Sequence, residues 1–459
     1  MSVNIKNNVV SEFNELNISD KDPNSSKIDH ENCYDLDDKK FWCKECVPRC
    51  IIEGWTSGND DIDNFIKDTI YNVGGECYPS FLEWVPFDKF KDMKQIGEGG
   101  FAKVYSATWI DGIAKYTKQD DENWIKIKPK SMQVALKRLN GSQNMSADFL
   151  NELKTHWKLN CLQNNSLKFY GITKDPETEE FMMVMEYAKD GNLRNVLSSD
   201  FNKILWVTKI RYLYFSAMDL KNLHELGYFH RDFHSGNILN ISGASYISDF
   251  GLSGQLNEQN LDNKIYGVLP YIAPEVLNRE PYTLSSDIYS FGVVMTELSS
   301  GKPPFHKRKH DISLALKICN GLRPEFGKGT PEIYKKLAHR CMNANPNQRP
   351  TANELYKILD CLNGHKDNEK YGYKGEEVKA IFEEADKEIP NISTSYEKKP
   401  DAIYTSRAFT FKNLSNPINS SFITTTYLNE EDNEGCQDSQ LIDLEIPNTS
   451  KLEDRDSDN

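Results

Sequence analysis

The sequence predicts an α+β body of two lobes, strands first and helices after, between unfolded flanks, and three observations carry that expectation. From Glu83 to about Leu362, short strand-like patterns give way to longer helical ones, over roughly 280 residues, a length that suits one two-lobed unit. Hydrophobic residues are 38% of the 459 and charged ones 27%, so a sizeable core is possible, yet the apolar share is below the globular average and predicts unfolded stretches. The charge is also uneven: Glu430 to Asn459 holds eleven acidic residues against Lys451 and Arg455, and residues 1–40 hold nine acidic against five basic. A net charge of −14 argues against a general polyanion binder, and no clear nucleic-acid partner is expected.

Taken in order, residues 1–28 are rich in Asn, Ser, Asp and Lys without a sustained period and are expected to be disordered. Residues 29–85 form a cysteine-containing segment plus a helix. Ile62, Phe65, Ile66 and Ile70 make one amphipathic face over Ile62–Tyr71, with Asp60 or Asp61 as its cap. His30, Cys33, Cys43 and Cys46 form two pairs, each spaced to grip one edge of a tetrahedral Zn²⁺. They read alternatively as ordinary groups of a flexible segment, and Cys50 competes for membership. So short a knuckle would need the metal to fold. The ten cysteines are too sparse and irregular for a disulfide framework. Residues 86–363 are the main body, and 364–459 are expected to be a mostly disordered acidic tail with one charged helical stretch, Glu376 to Glu388. There is no apolar run of about eighteen residues, and Glu12, Glu15 and Asp20 interrupt the start of the chain, so neither a membrane span nor a secretory signal is expected. An intracellular, cytoplasmic location follows as an expectation.

Within the body, Ile96-Gly97-Glu98-Gly99-Gly100-Phe101-Ala102-Lys103-Val104 is a glycine-rich turn between two strand-like stretches. Missing side chains would let backbone N–H groups approach phosphate oxygens, and an ordinary hairpin is the plainer alternative. In Val134-Ala135-Leu136-Lys137 a lysine stands on an otherwise apolar strand, where an ammonium needs anionic partners. Phosphates and the carboxylate of Glu152, in the helical stretch Ala147 to Lys158, would serve; a surface salt bridge is the other reading.

His230-Arg231-Asp232 with Asn237, then Asp249-Phe250-Gly251, follow in order, and Ala273-Pro274-Glu275, Ser286-Asp287-Ile288-Tyr289-Ser290-Phe291-Gly292 and Arg349-Pro350 come after them. Together with the glycine-rich turn and Lys137, these motifs resemble the eukaryotic protein kinase catalytic domain, over about 275 residues. The resemblance implies the bilobal protein kinase fold, a small β-rich N-lobe and a larger helical C-lobe, with ATP and Mg²⁺ as cofactors and a protein as substrate. By resemblance, Asp232 orients the acceptor hydroxyl and takes its proton, Asn237 and Asp249 hold two Mg²⁺ ions, and Lys137 and Glu152 form an activating ion pair. Val104, Ala135 and Leu239 would enclose adenine, Met185 would be the gatekeeper, and Glu186-Tyr187-Ala188 would read the base edge. Asp287 and the Arg349–Glu275 pair would be scaffold, and His230 and Phe250 would stack in a spine, with His156 as a core histidine rather than a catalyst.

Several positions depart from the family pattern. Ala102 replaces the third glycine, His234 stands where serine/threonine kinases carry lysine, and Gly236 where tyrosine kinases can carry arginine. Val268 replaces a threonine, so one hydrogen bond near Asp232 should be lost. The stretch from His230 to Asn237 and the Tyr271-Ile272-Ala273-Pro274-Glu275 ending are most similar to the tyrosine-kinase-like group, whose members mainly modify serine and threonine. The expected function is ATP-dependent transfer of the γ-phosphate to Ser/Thr hydroxyls of proteins in intracellular signalling. A pseudokinase scaffold that binds ATP or partners without turnover is the alternative, and a zinc-dependent adaptor a third reading. In the activation segment, Asp249 to Glu275, Ser253 and Tyr266 are the hydroxyl candidates before Val268, with Tyr266 read as a packed aromatic. The long connection from Trp109 to Val134, with Lys115, Lys118, Lys126, Lys128 and Lys130 beside Tyr116 and Trp124, could meet an acidic partner or nucleic acid, and is more often simply a solvated surface excursion. Trp42-Cys43, Trp55-Thr56-Ser57-Gly58-Asn59, Glu83-Trp84 and Ala402-Ile403-Tyr404-Thr405-Ser406-Arg407 are similar to flanks in a large set of fungal kinase-like proteins, which implies no function for them.

Overall fold

The structure, a computed structural model, describes residues 54–71, 81–99, 102–113, 115–118, 124–127, 130–162, 166–255, 264–364, 374–397, 399–411 and 414–420. Residues 1–28, the candidate zinc ligands His30, Cys33, Cys43 and Cys46, Gly100 and Phe101 of the glycine-rich turn, and the acidic stretch from Glu430 lie outside them.

The chain enters with α1 (Asp60–Tyr71), β1 (Glu83–Trp84), β2 (Phe90–Glu98) and β3 (Ala102–Trp109). A hairpin of β4 (Lys115–Lys118) and β5 (Trp124–Ile127) occupies the long connection, and β6 (Met132–Leu139), α2 (Ala147–Leu162), β7 (Phe169–Lys174) and β8 (Phe181–Glu186) complete the N-lobe. Six strands make one sheet in the order β1-β7-β8-β6-β3-β2. All pairs are antiparallel except β1 on β7. That edge pairing depends on Gly171, where a Cβ would lie 2.2 Å from the Glu83 carbonyl oxygen, so any side chain would push β1 away.

Helix α1 buries the predicted face: Ile62, Phe65, Ile66 and Ile70 pack with Leu153 and Trp157 of α2 and with the sheet residues Phe169 and Phe181. Its cap differs from the expectation. Asn59 accepts the Ile62 amide at 3.1 Å, because Asp60 and Asp61 already lie in the first helical turn. Asp63 turns back to accept the Ser57 amide at 2.8 Å and the Thr56 hydroxyl at 2.6 Å. The N-lobe therefore takes in residues ahead of position 86, where the sequence reading started the main body.

The C-lobe contains α3 (Leu193–Asp200), α4 (Trp206–Glu225), β9 (Tyr228–Phe229), β10 (Ile238–Ile241), β11 (Ala244–Ile247), β12 (Gly254–Gln255) and β13 (Ile265–Gly267). Then come α5 (Pro274–Leu277), α6 (Leu284–Ser300), α7 (Ile312–Cys319), α8 (Glu332–Cys341) and α9 (Ala352–Gly364). Residues 286–299 of α6 are all buried, which makes it the central helix. Arg349 grips both oxygens of buried Glu275 at 2.7 Å, a bidentate scaffold pair. No helix among the described residues is long and apolar enough to cross a membrane.

Beyond α9, the described residues of the expected tail are packed on the C-lobe. Helix α10 (Gly375–Asp386) and strand β14 (Arg407–Phe409) follow, and Val378, Phe382, Ala385, Ile389 and Phe409 join the C-lobe core. Phe382 stacks on Trp206 with ring centroids 5.9 Å apart. Asp386 accepts the Trp206 amide at 2.7 Å, supplying the α4 cap that Leu205 cannot. Helix α10 matches the charged helical stretch expected over Glu376 to Glu388, and its apolar stripe is what docks on the C-lobe.

The same junction buries Lys209. Its Nζ lies 4.0 Å from the Phe201 ring centroid and 4.8 Å from that of Trp206, without a hydrogen-bond partner among the described residues. Burial pulls its pKa down to about 7, against a smaller upward pull from Asp386. Between about 7 and 10.5 the unfolded chain keeps a proton that the folded protein has released, so this group makes stability rise with pH across that window. Lys209→Met should accordingly raise the melting temperature by about 3 °C near pH 6.5, with the gain shrinking toward pH 10. Thermal unfolding at the two pH values checks this; a gain independent of pH would show that the buried charge is not the cause.

Candidate active site

Strand β6 sets Lys137 opposite Val104 of β3 and Met183 of β8, in the middle of the sheet, where the residue is only 8% exposed. An ammonium there needs carboxylates. Glu152 of α2 accepts a hydrogen bond from its Nζ, and Asp249 Oδ1 accepts another at 2.8 Å. Burial works against the lysine's charge, but Asp249 and Glu152 outweigh it and hold its pKa above the ordinary value. Burial likewise pushes Asp249 up, and the charge and hydrogen bond of Lys137 reverse this, leaving it at about 2.

Phe250, next to Asp249, lies between two histidine rings, His156 of α2 at 4.5 Å and His230 at 5.2 Å between centroids. Burial, then the charge of Lys137, keeps the His156 pKa well below its usual value, so it is neutral. It is a buried core histidine, as expected, but not a satisfied one, since its Nε2 has no hydrogen-bond partner among the described residues.

After β9 the chain turns sharply, and Asp287 of α6 holds the turn. Its carboxylate accepts the amides of His230 and Arg231 at 2.8 and 3.1 Å, the Tyr282 hydroxyl at 2.9 Å, and pairs with the His224 ring at 2.9 Å. Arg231 is thereby held at a φ of 66°, a left-handed conformation that a non-glycine residue keeps only when its surroundings over-determine it. The β10–β11 hairpin pairs Ile238 with Ile247, which sets Asn237 beside Ser248. The Ser248 amide and hydroxyl both bond the Asn237 carbonyl, at 2.8 and 3.0 Å. Asn237 and Asp249 thus stand on one rigid frame.

Asp232 is 7% exposed. Its Oδ2 accepts Asn237 Nδ2 at 3.3 Å, faces His234 Nε2 at 3.5 Å and accepts the hydroxyl of Ser406, whereas Oδ1 is buried without a partner among the described residues. Burial raises its pKa, but His234 and the Ser406 hydroxyl outweigh that and leave it below the usual value, so Asp232 is ionised at neutral pH. His234, at the place where serine/threonine kinases carry lysine, faces this carboxylate. Its Nδ1 accepts the Gly236 amide at 3.0 Å, so the proton on Nε2 points to Asp232. A Cβ at position 236 would lie 2.8 Å from the ring's Cε1, which accounts for glycine where other kinases carry a long side chain. Buried Val268 brings no hydroxyl, in keeping with the orphaned Oδ1.

On the N-lobe side, Ile96, Gly97 and Glu98 end β2, and Ala102, Lys103 and Val104 begin β3, with Lys103 3.7 Å from Glu98. The Gly99 amide closes the turn on the Ala102 carbonyl at 2.8 Å. Neither Gly97 nor Gly99 has a left-handed φ, and a Cβ on either would meet nothing nearer than 3.8 Å. The hairpin itself does not demand these glycines; they leave bare backbone that suits phosphate. Ala135 lies on β6 and Leu239 on β10, both half-buried like Val104; Glu186 ends β8, and the Ala188 carbonyl accepts the Gly191 amide at 3.0 Å. The hard oxygens of Asp249 and Asn237, beside an ionised Asp232, are a donor set that fits Mg²⁺.

A family model described as protein tyrosine and serine/threonine kinase matches residues 90–359. The chain belongs to this kinase family. The family as such implies ATP and Mg²⁺. Among relatives, a protein of Acanthamoeba polyphaga mimivirus provisionally named a serine/threonine-protein kinase/receptor is 31% identical over 66% of this chain and 18% of its own length. A probable serine/threonine-protein kinase of Dictyostelium discoideum is 30% identical over 58% of this chain and 15% of its own. Another, from Arabidopsis thaliana, is 31% identical over 60% of this chain and 73% of its own. The chain therefore spans less than a fifth of the first two relatives.

The kinase motifs did not reveal Ser406. The strand that follows it, β14, pairs antiparallel with β13 of the activation segment, Tyr266 opposite Ala408. The available signal was the period-two pattern Phe409-Thr410-Phe411 just after it, too short to stand alone. Of the two activation-segment hydroxyls, Ser253 is buried and donates to the Phe250 carbonyl at 2.7 Å, and Tyr266 sits in β13.

The depressed pKa of Asp249 means that its contribution to stability is present above its unfolded value near 3.8 and is lost as pH falls toward about 2. Urea unfolding of wild type and Asp249→Asn should show midpoints that are separate near pH 6 and converge in acid. A constant separation would show that the Asp249 charge does not stabilise the fold.

Proposed function

We propose that this chain is an ATP- and Mg²⁺-dependent protein kinase of the tyrosine-kinase-like type, which transfers the γ-phosphate to serine or threonine hydroxyls of proteins in intracellular signalling. The observation that supports this most is a buried, ionised Asp232 that already accepts a hydrogen bond from a hydroxyl, on the frame that also carries Asn237 and near the Lys137–Asp249–Glu152 cluster. In this reading Asp232 orients the acceptor hydroxyl and takes its proton, Asn237 and Asp249 hold the metal, and Lys137, fixed by Glu152, holds phosphate oxygens. Bound Mg·ATP supplies the phosphoryl group and the leaving diphosphate. Glu186 and Ala188 would read the base edge, with Val104, Ala135 and Leu239 on its faces and residues 96–104 over the phosphates.

Serine or threonine is favoured as acceptor because the hydroxyl that meets Asp232 is on a one-carbon stem, and because the relatives named above carry serine/threonine-protein kinase names. With Lys137, Asp232, Asn237 and Asp249 all present, the scaffold alternative has no missing group to stand on. A zinc site at His30, Cys33, Cys43 and Cys46 rests on spacing alone; one zinc per purified full-length chain is the expected result of metal analysis, and none would remove it.

Radiolabel transfer from ATP to a mixed protein substrate, with and without Mg²⁺, should be lowered about 100-fold or more by Asp232→Asn while ATP binding persists. Acid hydrolysis should yield phosphoserine or phosphothreonine. Phosphotyrosine would overturn the acceptor class, and no Asp232-dependent transfer from a sample that binds ATP would overturn the enzymatic reading.

A further inference from the structure

A segment of the chain itself lies where an acceptor would lie, and we infer that Ser406 is a phosphoacceptor in cis, presented to Asp232 by a tail strand that fills the protein-substrate groove until it is modified. The inference rests on the kinase reading above.

Three sets of contacts place the segment. Its hydroxyl contact is with Asp232 Oδ2, the oxygen that Asn237 and His234 also face. Its backbone continues the activation segment as an added strand, with Ile265, Tyr266 and Gly267 opposite Phe409, Ala408 and Arg407. Side chains on either side of Ser406 are anchored: the Tyr404 ring centroid lies 5.0 Å from the Arg194 guanidinium and 4.8 Å from that of His310, and its hydroxyl donates to the Pro304 carbonyl at 2.9 Å. Arg407 donates to the His310 carbonyl at 2.6 Å, and His310 Nδ1 donates to the Ile403 carbonyl at 2.8 Å. Strand pairing for affinity and pockets for flanking side chains are the way proteins hold an extended peptide. Three hydroxyl residues occur in a row, yet Thr405 is exposed and Tyr404 is committed to Pro304, so Ser406 alone reaches the base. A tethered segment acts at an effective concentration of the order of millimolar, enough to outcompete dilute protein substrates.

In the transfer, Ser406 Oγ forms a bond to the terminal phosphorus of the nucleoside triphosphate, the bond from that phosphorus to the bridging oxygen breaks, and the electron pair leaves on the nucleoside diphosphate. The hydroxyl proton passes to the Asp232 carboxylate and from there to water. The product places a phosphate of about two negative charges against Asp232, in a buried setting, so the strand is expelled and the groove opens to other proteins.

The full chain, first dephosphorylated, is incubated with Mg·ATP over a range of protein concentrations, and phosphosites are mapped by mass spectrometry. Phosphate on Ser406, absent in Asp232→Asn and appearing at a rate independent of protein concentration, is the expected result. A rate proportional to concentration overturns transfer in cis. An unmodified Ser406 alongside Asp232-dependent labelling of an added protein overturns the inference and leaves the kinase reading standing, whereas labelling of neither defeats the kinase reading itself. Hydrogen exchange without nucleotide gives a readout separate from turnover: amides of residues 407–409 should be protected in wild type and exchange at least about tenfold faster in Ser406→Glu, whose carboxylate mimics the product charge. No protection in wild type, or equal protection in a Ser406→Glu protein that melts as wild type does, overturns the strand's docking and release.

Discussion

A buried ammonium on a central strand has few stable solutions, and Lys137 shows how much architecture one of them recruits. Two carboxylates must reach it from different parts of the chain, Glu152 from α2 and Asp249 from the far side of the cleft. For Glu152 to reach, α2 must lie close on the sheet, and α1 packs with both through Ile62, Phe65 and Ile66. For Asp249 to reach, its backbone must hold a φ of 67°, and Phe250 must stay between His156 and His230. Removal of Lys137 would leave the buried Glu152 carboxylate without its partner, which is why this cluster couples the positions of both lobes.

The acceptor side obeys a second constraint of the same kind, with Asp287 in place of Lys137. Its buried carboxylate collects donors from the catalytic turn and so fixes the direction of Asp232. Around that fixed group the chain has made local substitutions that fit each other. His234 needs Gly236 beneath its ring, and Val268 leaves one oxygen of Asp232 unanswered while Ser406 answers the other.

The described residues of both flanks are structural parts of the catalytic body. Strand β1 extends the sheet past Gly171, and α10 caps and covers α4 through Asp386 and Phe382. The tail that follows lies on the C-lobe, where Tyr404 bonds Pro304, Arg407 bonds His310 and Ser406 meets Asp232. The helix was legible in the sequence but its docking was not, because a few apolar residues at helical spacing suffice when a partner surface is waiting.

By itself the sequence determined the kinase fold, the face of α1, the pairing of Lys137 with Glu152, the scaffold roles of Asp287 and Arg349, and the core character of His156, because each depends on residue types at short spacings or in an ordered set of motifs. Only the tertiary structure decided that Asn59 caps α1, that β1 joins the sheet, that His234 turns its Nε2 to Asp232, and that Ser406 meets the same carboxylate. These outcomes depend on groups far apart in the chain; Ser406 and Asp232 are 174 residues apart. No local pattern records such a meeting, since it is fixed by the summed packing of the helices between them.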